Sequence, residues 1–385
     1  MHAMDSQTES LPTLRWGIIG TGLISSWFTK DITLPRRSPA AHHKIQAIGS
    51  STSLTKTTDF IKTHLAHLSP SPKAYGTYEE VYADPEVDII YIGTPHALHK
   101  AQCLSAIRAK KHVLCEKAFT LNASEAREVL DAARKEGVFV MEAMWTRFLP
   151  VTIALQKALH EERVIGDVRR VFCDFGLDMQ VQSLDGSSRL RDVRLGAGSL
   201  LDLGVYALTW GFIALEAPSV KSNAEDGQGK MEKQKPEITA TQVLQDGVDI
   251  ASTFVLKYPA SGKIGILTSS VEAKTPEAFM RIEGSEGVVV VEGVAASKPR
   301  AFTVYRKDSA GGGSGAGAVE DEGKRYEVEV EGMGFHFEAD AVAQSIFQGM
   351  RENEGMDHAE TLRVMEMLDE IRAQGGARFP GECNT

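Results

Sequence analysis

The sequence predicts an α/β protein in two parts: an N-terminal doubly wound parallel sheet, then a C-terminal α+β part built on a large, open, mostly antiparallel sheet. Three observations carry this. Residues 14–25, LRWGIIGTGLIS, run an apolar strand into Gly20-Thr21-Gly22 and on into a helix. Strand-like and helix-like patterns then alternate up to about residue 145, as a parallel sheet with helices on both faces requires. Beyond Pro150, long strand patterns follow one another with few helices between them. At 385 residues the chain exceeds one ordinary core, and its 42% hydrophobic content fills two. The expected division is a disordered tail over 1–13, a dinucleotide-binding Rossmann domain over 14–147 and a substrate and dimerisation domain over 148–380.

The first half is expected to hold five strands, at 14–20, 44–51, 87–94, 112–117 and 138–144, with amphipathic helices such as 97–109 and 122–136 between them. Asn122 followed by Glu125 forms a capping-box pair at the start of the latter helix, and Gly137 stops it. In the second half, strands are expected at 169–179, 238–258, 263–273, 278–283 and 288–292. Helices at 198–215 and 337–374, the latter broken near Glu354-Gly355, are expected to cover one face of that sheet. The other face is left open to a second copy of the chain, which points to a homodimer. Two polar, glycine-rich segments, 222–237 and 308–324, read as mobile loops.

Charge and composition remove several classes of function. Forty-two basic against 52 acidic side chains give a formal net charge of −10, with no basic stripe to follow a phosphate backbone, so nucleic acid is not an expected partner. No apolar run is expected to approach the roughly 20 residues that span a bilayer. Residues 1–13 lack the apolar stretch of a secretory signal, which makes a cytoplasmic location the expectation. Cys103, Cys115, Cys173 and Cys383 lie far apart without a C-x-x-C pair, so reduced thiols are expected, with neither a metal site nor a disulfide framework.

The glycine-rich turn carries a specific chemistry. Gly20 permits the tight turn and Gly22 leaves bare backbone, so the unpaired N–H groups of the helix opening at Leu23 and Ile24 point at a pyrophosphate. Ser25 stands where a third glycine is usual, small enough for close packing of helix on strand. An acid that holds the ribose hydroxyls of NAD normally ends the second strand. Here the strand runs into Ser50-Ser51-Thr52-Ser53, so NADP is the expected cofactor, with Ser51 and Thr52 as contacts; the same run also suits a helix cap. Three further pieces lie at strand ends or in the second half: Thr94-Pro95-His96 with His99, Cys115-Glu116-Lys117, and Asp202-x-Gly204-x-Tyr206.

With these motifs the chain resembles the glucose-fructose oxidoreductase/inositol dehydrogenase family over about residues 14–380. Glu142-Ala143-Met144-Trp145-Thr146-Arg147-Phe148 and Tyr206 are most similar to its branch of dihydrodiol and D-xylose 1-dehydrogenases. The resemblance implies Lys117 and Tyr206 as catalytic residues. It also implies cofactor contacts from Thr94, Pro95, His99, Glu116 and Lys117, and substrate contacts from Trp145, Arg147 and Asp202. One of Arg189, Arg191 and Arg194 is expected to reach the substrate. Oxidising an alcohol removes a hydride and a proton; a tyrosine titrates near 10, and a close ammonium is expected to lower that value so that Tyr206 acts as base. The family's Glu-Lys-Pro is Glu116-Lys117-Ala118 here; alanine prefers a trans bond, so a family geometry with a cis bond would leave Lys117 displaced. The implied activity is NADP-dependent oxidation of the anomeric hydroxyl of an aldopyranose such as D-xylose to its lactone. The alternatives are oxidation of a trans-dihydrodiol to a catechol, or a regulator that binds NADP without turnover.

Overall fold

The computed structural model describes residues 11–51, 53–218, 234–307 and 322–380. The expected tail up to residue 10, most of the two glycine-rich loops, Thr52 and Cys383 lie outside the described residues. Two sheets organise the rest.

The first half runs β1 (Thr13–Ile19), α1 (Leu23–Ile32), β2 (His42–Gly49), α2 (Leu54–His64), β3 (Lys73–Tyr75), α3 (Tyr78–Ala83), β4 (Ile89–Ile92), α4 (His96–Arg108), β5 (His112–Glu116), α5 (Ala123–Glu136) and β6 (Val140–Ala143). The strands lie in the order β3-β2-β1-β4-β5-β6, each parallel to its neighbours. β1 and β4 sit centrally and carry continuous apolar runs because helices cover both faces. The order reverses between β1 and β4, so their carboxyl ends open a crevice for a ligand. Of the six strands, β3 was not foreseen, since three residues are too few to show a period of two. Asn122 caps α5 by accepting from the Glu125 amide at 3.0 Å, and Gly137 closes it at φ +66°.

The second half runs α6 (Pro150–His160), β7 (Val168–Gly176), α7 (Val205–Leu215), β8 (Glu237–Gln245), β9 (Val248–Tyr258), β10 (Lys263–Ser270), β11 (Ala278–Gly284), β12 (Gly287–Ala295), β13 (Lys298–Arg306), β14 (Lys324–Glu327), α8 (Phe335–Phe347) and α9 (His358–Gly375). Its sheet has the order β14-β13-β12-β11-β7-β10-β9-β8, antiparallel except between β7 and β10. The strand expected over 238–258 is a hairpin: Asp246 and Gly247 both take positive φ, 52° and 81°, as a tight two-residue turn demands. β13, β14 and α6 extend the expected set; Pro150 opens α6 at a position where no N–H is needed.

A turn of π-helix, Leu200–Gly204, leads straight into α7. Every residue of α7 is buried, and the helix lies on β7 and β10. Contrary to the expected absence of so long an apolar run, 193–215 is long and apolar enough by composition to cross a membrane, but it is enclosed in the molecule. The C-terminal helices also depart from expectation. α9 does pack on β8, but also on α5, and α8 leaves the sheet for α1. The reason is polar as well as apolar: the Asp31 carboxylate at the end of α1 accepts from the amides of Met333, Gly334 and His336, capping α8. Arg36 and His43 then hold Asp340 at 2.6 and 2.8 Å.

Candidate active site

The crevice at the carboxyl ends of β1 and β4 is shaped by backbone. Gly20 has φ +90°, and a Cβ there would lie 2.7 Å from the Gly93 carbonyl oxygen, so no other residue fits the turn. Gly22 is the N-cap of α1 and offers no side chain to the first N–H groups of the helix, which remain for an anion. Leu23, the first residue of α1, is 64% exposed; Leu54 and Leu98, near the starts of α2 and α4, are exposed as well. Ile24 is partly buried on the core and Ser25 fully buried, as close packing of α1 requires. The end of β2 carries no acid: Ser51 is exposed and hydrogen-bonded to the Tyr78 hydroxyl, and Ser53 accepts from the Lys56 amide to cap α2. This cradle of free amides, bare glycine and hydroxyls fits a dinucleotide whose ribose carries a phosphate.

The loops after β4 and β5 are tied together by His99. Its ring is fully buried, with Nε2 2.8 Å from the Thr94 carbonyl and Nδ1 3.1 Å from that of Ala118, so it shapes the crevice through the two loops rather than lining it, a correction to the expected cofactor contact. Pro95 is the N-cap of α4, and Thr94 donates its hydroxyl to Gln102. The Lys117–Ala118 bond is cis.

Lys117 reaches from the parallel sheet to the residues that open α7. Its Nζ donates to the Asp202 carbonyl oxygen at 2.9 Å, stands 3.7 Å from Asp202 Oδ1 and lies over the Tyr206 ring, 5.1 Å from its centroid. Asp202 has two further neighbours: the Arg189 guanidinium, with Nη1 3.2 Å from Oδ2, and the His96 imidazole, with Nε2 3.8 Å from Oδ1. Burial works to raise the Asp202 pKa, yet Lys117 and then Arg189 outweigh it and hold the carboxylate ionised. Burial keeps the His96 imidazole neutral despite that carboxylate. Of the three candidate arginines, Arg189 joins this cluster, whereas Arg191 binds Asp246 and the Leu184 carbonyl, and Arg194 binds Asp192.

Tyr206 is enclosed by aromatic side chains. Its hydroxyl accepts from Trp145 Nε1 at 2.9 Å, and its ring meets Phe175 edge-on at 5.4 Å. Trp145, expected to line the substrate cleft, is buried, stacked on Phe335 at 4.4 Å, and directs its indole N–H at the Tyr206 hydroxyl. Arg147 also departs from the expected substrate role: its guanidinium is buried in an ion pair with Glu360. The expectation for the phenol is reversed too. Burial, and next the Glu116 carboxylate, push the Tyr206 pKa well above its ordinary value; Lys117 sits over the ring face and donates to the Asp202 carbonyl.

Two acids stand behind this cluster. Glu116 accepts from the Tyr91 hydroxyl at 2.6 Å and from the Lys117 amide at 3.3 Å, and burial raises its pKa. Glu338, on α8, is wholly buried with neither carboxyl oxygen bonded among the described residues; burial, then Glu116 and Asp31, push its pKa well above 4.5. The sequence reading missed Glu338, whose helix it began two residues late, and quoted His96 without assigning it to the site; a polar residue beside Thr94-Pro95 was the available signal for the latter. Among the described residues no cluster of His, Cys, Asp or Glu is arranged for a metal ion, and Cys103, Cys115 and Cys173 are free thiols.

Comparison with known proteins matches both halves. Residues 14–144 fit the family model described as "Oxidoreductase family, NAD-binding Rossmann fold", and residues 153–290 fit the GFO/IDH/MocA C-terminal domain. The chain is 31% identical to a D-xylose 1-dehydrogenase (NADP(+)) of Hypocrea jecorina, covering 96% of this chain and 93% of that one. It is 34% identical to a trans-1,2-dihydrobenzene-1,2-diol dehydrogenase of Bos taurus, covering 95% and 98%. Among solved structures, a 3-ketoreductase from Actinomadura kijaniata in complex with NADP and TDP-benzene superposes with a TM-score of 0.72 at 21% identity, over 94% of this chain and 98% of that one. An aldose-aldose oxidoreductase from Caulobacter crescentus complexed with glycerol gives a TM-score of 0.72 at 20% identity, again over 94% and 98%. With relatives above 30% identity along nearly its whole length and both halves of the fold matched, the chain belongs to the GFO/IDH/MocA family of oxidoreductases.

Proposed function

We propose that the protein is an NADP-dependent dehydrogenase that oxidises a ring hydroxyl of a polyhydroxylated substrate, with the anomeric carbon of an aldopyranose such as D-xylose as the reacting centre and a lactone as product. The observation that carries this is the meeting of Lys117, from the end of β5, with Asp202 and Tyr206, from the start of α7, in one cluster. The glycine cradle, the unpaired amides of α1 and the Ser50-Ser51 end of β2 support NADP. When bound, the oxidised nicotinamide supplies a hydride acceptor. Once ionised by loss of its own proton to solvent, Tyr206 Oη takes the hydroxyl proton of the substrate and returns to the neutral phenol; the Trp145 N–H donates to that oxygen and stabilises its ionised form beforehand. Lys117 supplies positive charge over the phenol ring, and Asp202 fixes Lys117 and Arg189 in place.

The charged and polar groups at the cluster favour a sugar over an aromatic diol. With the Trp145 ring stacked on Phe335, stacking on that indole no longer speaks for a dihydrodiol. The uncovered face of the eight-stranded sheet supports a homodimer: Phe172, Ile266, Val288 and Val290 are half-buried there, and Arg170 and Arg281 lie over Phe172 at 4.9 and 4.4 Å. The free thiols are compatible with the cytoplasm. The test mixes the protein with NADP and D-xylose, then with a trans-dihydrodiol, and follows the absorbance of the reduced nicotinamide. Turnover of D-xylose is expected. Turnover of the diol alone would move the substrate, and tight NADP binding with no turnover of either would make the protein a regulator.

A further inference from the structure

The turn of π-helix that carries Asp202 has an anchor outside the cluster described so far. Asp249, on β9, is buried beneath it, and three donors converge on its Oδ2: the Leu200 amide at 2.7 Å, the Ser199 hydroxyl at 2.8 Å and the Ser252 hydroxyl at 3.0 Å. Its Oδ1 occupies the space above Gly198, where a Cβ would lie 2.0 Å away; Gly198, at φ +139°, is thus a glycine by necessity. From β10, Ser269 approaches the Ser199 hydroxyl at 3.2 Å and stands against Gly204, at the other end of the turn. From β8, Gln242 donates to Ser252 at 2.9 Å. Among the described residues, the groups that face Asp249 from β8, β10 and the turn are thus hydroxyls and amides, none of which titrates in the accessible range.

We propose that Asp249 is a positioning residue for the reaction: its carboxylate pins Ser199 and Leu200 to the sheet, which fixes the π-helical turn that brings the Asp202 carbonyl to Lys117 and Tyr206 to the cleft. An ionised carboxylate oxygen holds three donors in a buried site, whereas a neutral amide or carboxylic acid holds them poorly. π-Helical turns are less favourable than α-helix and occur where function demands them. A wider turn with no anchor would relax, carrying Asp202 off Lys117. Burial pushes the Asp249 pKa up to about 6 against these donors, so the pin is set above that pH and released below it.

The proposal rests on the catalytic reading of Lys117 and Tyr206, and its test includes a measurement that needs no substrate. Amide hydrogen exchange of residues 200–206, corrected for intrinsic rates, is recorded between pH 5 and 8 for the full chain and for Asp249→Asn. At pH 8 the variant is expected to exchange about tenfold faster, from the loss of charge-assisted bonds, with the difference vanishing near pH 5. Its kcat is expected to fall about tenfold while the Kd for NADP, read by protein fluorescence, stays the same. Ser199→Ala keeps the charge and removes one donor; it is expected to move the midpoint of the exchange profile upward from about 6. Should Asp249→Asn fail to fold, this second variant decides. Exchange unchanged by Asp249→Asn, or a midpoint unmoved by Ser199→Ala, overturns the proposal. A wild-type chain with no turnover overturns the dehydrogenase reading instead, and leaves the exchange result to judge the anchor.

Discussion

The six-stranded sheet builds its share of the cleft from backbone, whereas the eight-stranded sheet builds its share from side chains. On the parallel side the decisive features are the turn at Gly20, the uncapped amides after Gly22 and the loops tied by His99. On the mixed side they are Asp202 and Tyr206, delivered by one widened helical turn. Backbone recognition tolerates change in most side chains, but a side-chain cluster fails when one member moves. Loss on the first side should therefore appear as weaker cofactor binding, and loss on the second as slower chemistry.

Tyr206→Phe is the sharpest way to break that division. It should lower kcat about 10³-fold through loss of the proton acceptor, with the NADP Kd unchanged. The raised pKa of Tyr206 adds a pH signature: the phenol must lose its proton before it can act, so kcat/KM for oxidation should climb about tenfold per pH unit through neutrality, and the variant should lose that slope. A flat wild-type profile would remove Tyr206 from the role. Gly20→Ala should have the opposite signature. A Cβ forced against the Gly93 carbonyl costs about 2 kcal/mol, which weakens NADP about thirtyfold while kcat at saturating cofactor is little changed. Equal loss in both parameters would mean that the two sides are not separable.

Glu338→Gln gives the smallest effect and concerns the ground between the sheets. The folded pKa of Glu338 lies above its ordinary value, so the folded chain retains a proton that the unfolded chain releases. That contribution is complete below about pH 4.5 and is lost as pH rises toward the folded pKa. The variant has no proton to lose, so urea unfolding should find it equal to wild type near pH 4.5 and more stable at pH 8. A less stable variant at pH 8 would show that the carboxylate has a partner in the folded chain.

The same contrast explains what was legible in the sequence. Strand-helix alternation and the Gly20-Thr21-Gly22 turn are local, and they placed the parallel sheet and its crevice. Lys117, Asp202 and Tyr206 could be named from motifs, and the structure brings them together. Their electrostatics could not be read, because the direction of the Tyr206 shift depends on burial and on Glu116, which reach it through the fold. The protein partners of Trp145 and Arg147 were illegible for a related reason: a tryptophan and an arginine beside a strand end look alike whatever they touch, and Phe335 and Glu360 lie nearly two hundred residues or more away. The hairpin at Asp246-Gly247 was written locally and passed over.

The capping of α8 by Asp31, the hold of Arg36 and His43 on Asp340, and the seat of α9 on both α5 and β8 have a mechanical consequence. The end of the polypeptide stitches the two sheets like a strap laid across a joint, so cutting the chain near residue 148 would not release two self-sufficient halves. A strap so placed opposes a wide swing of one sheet away from the other.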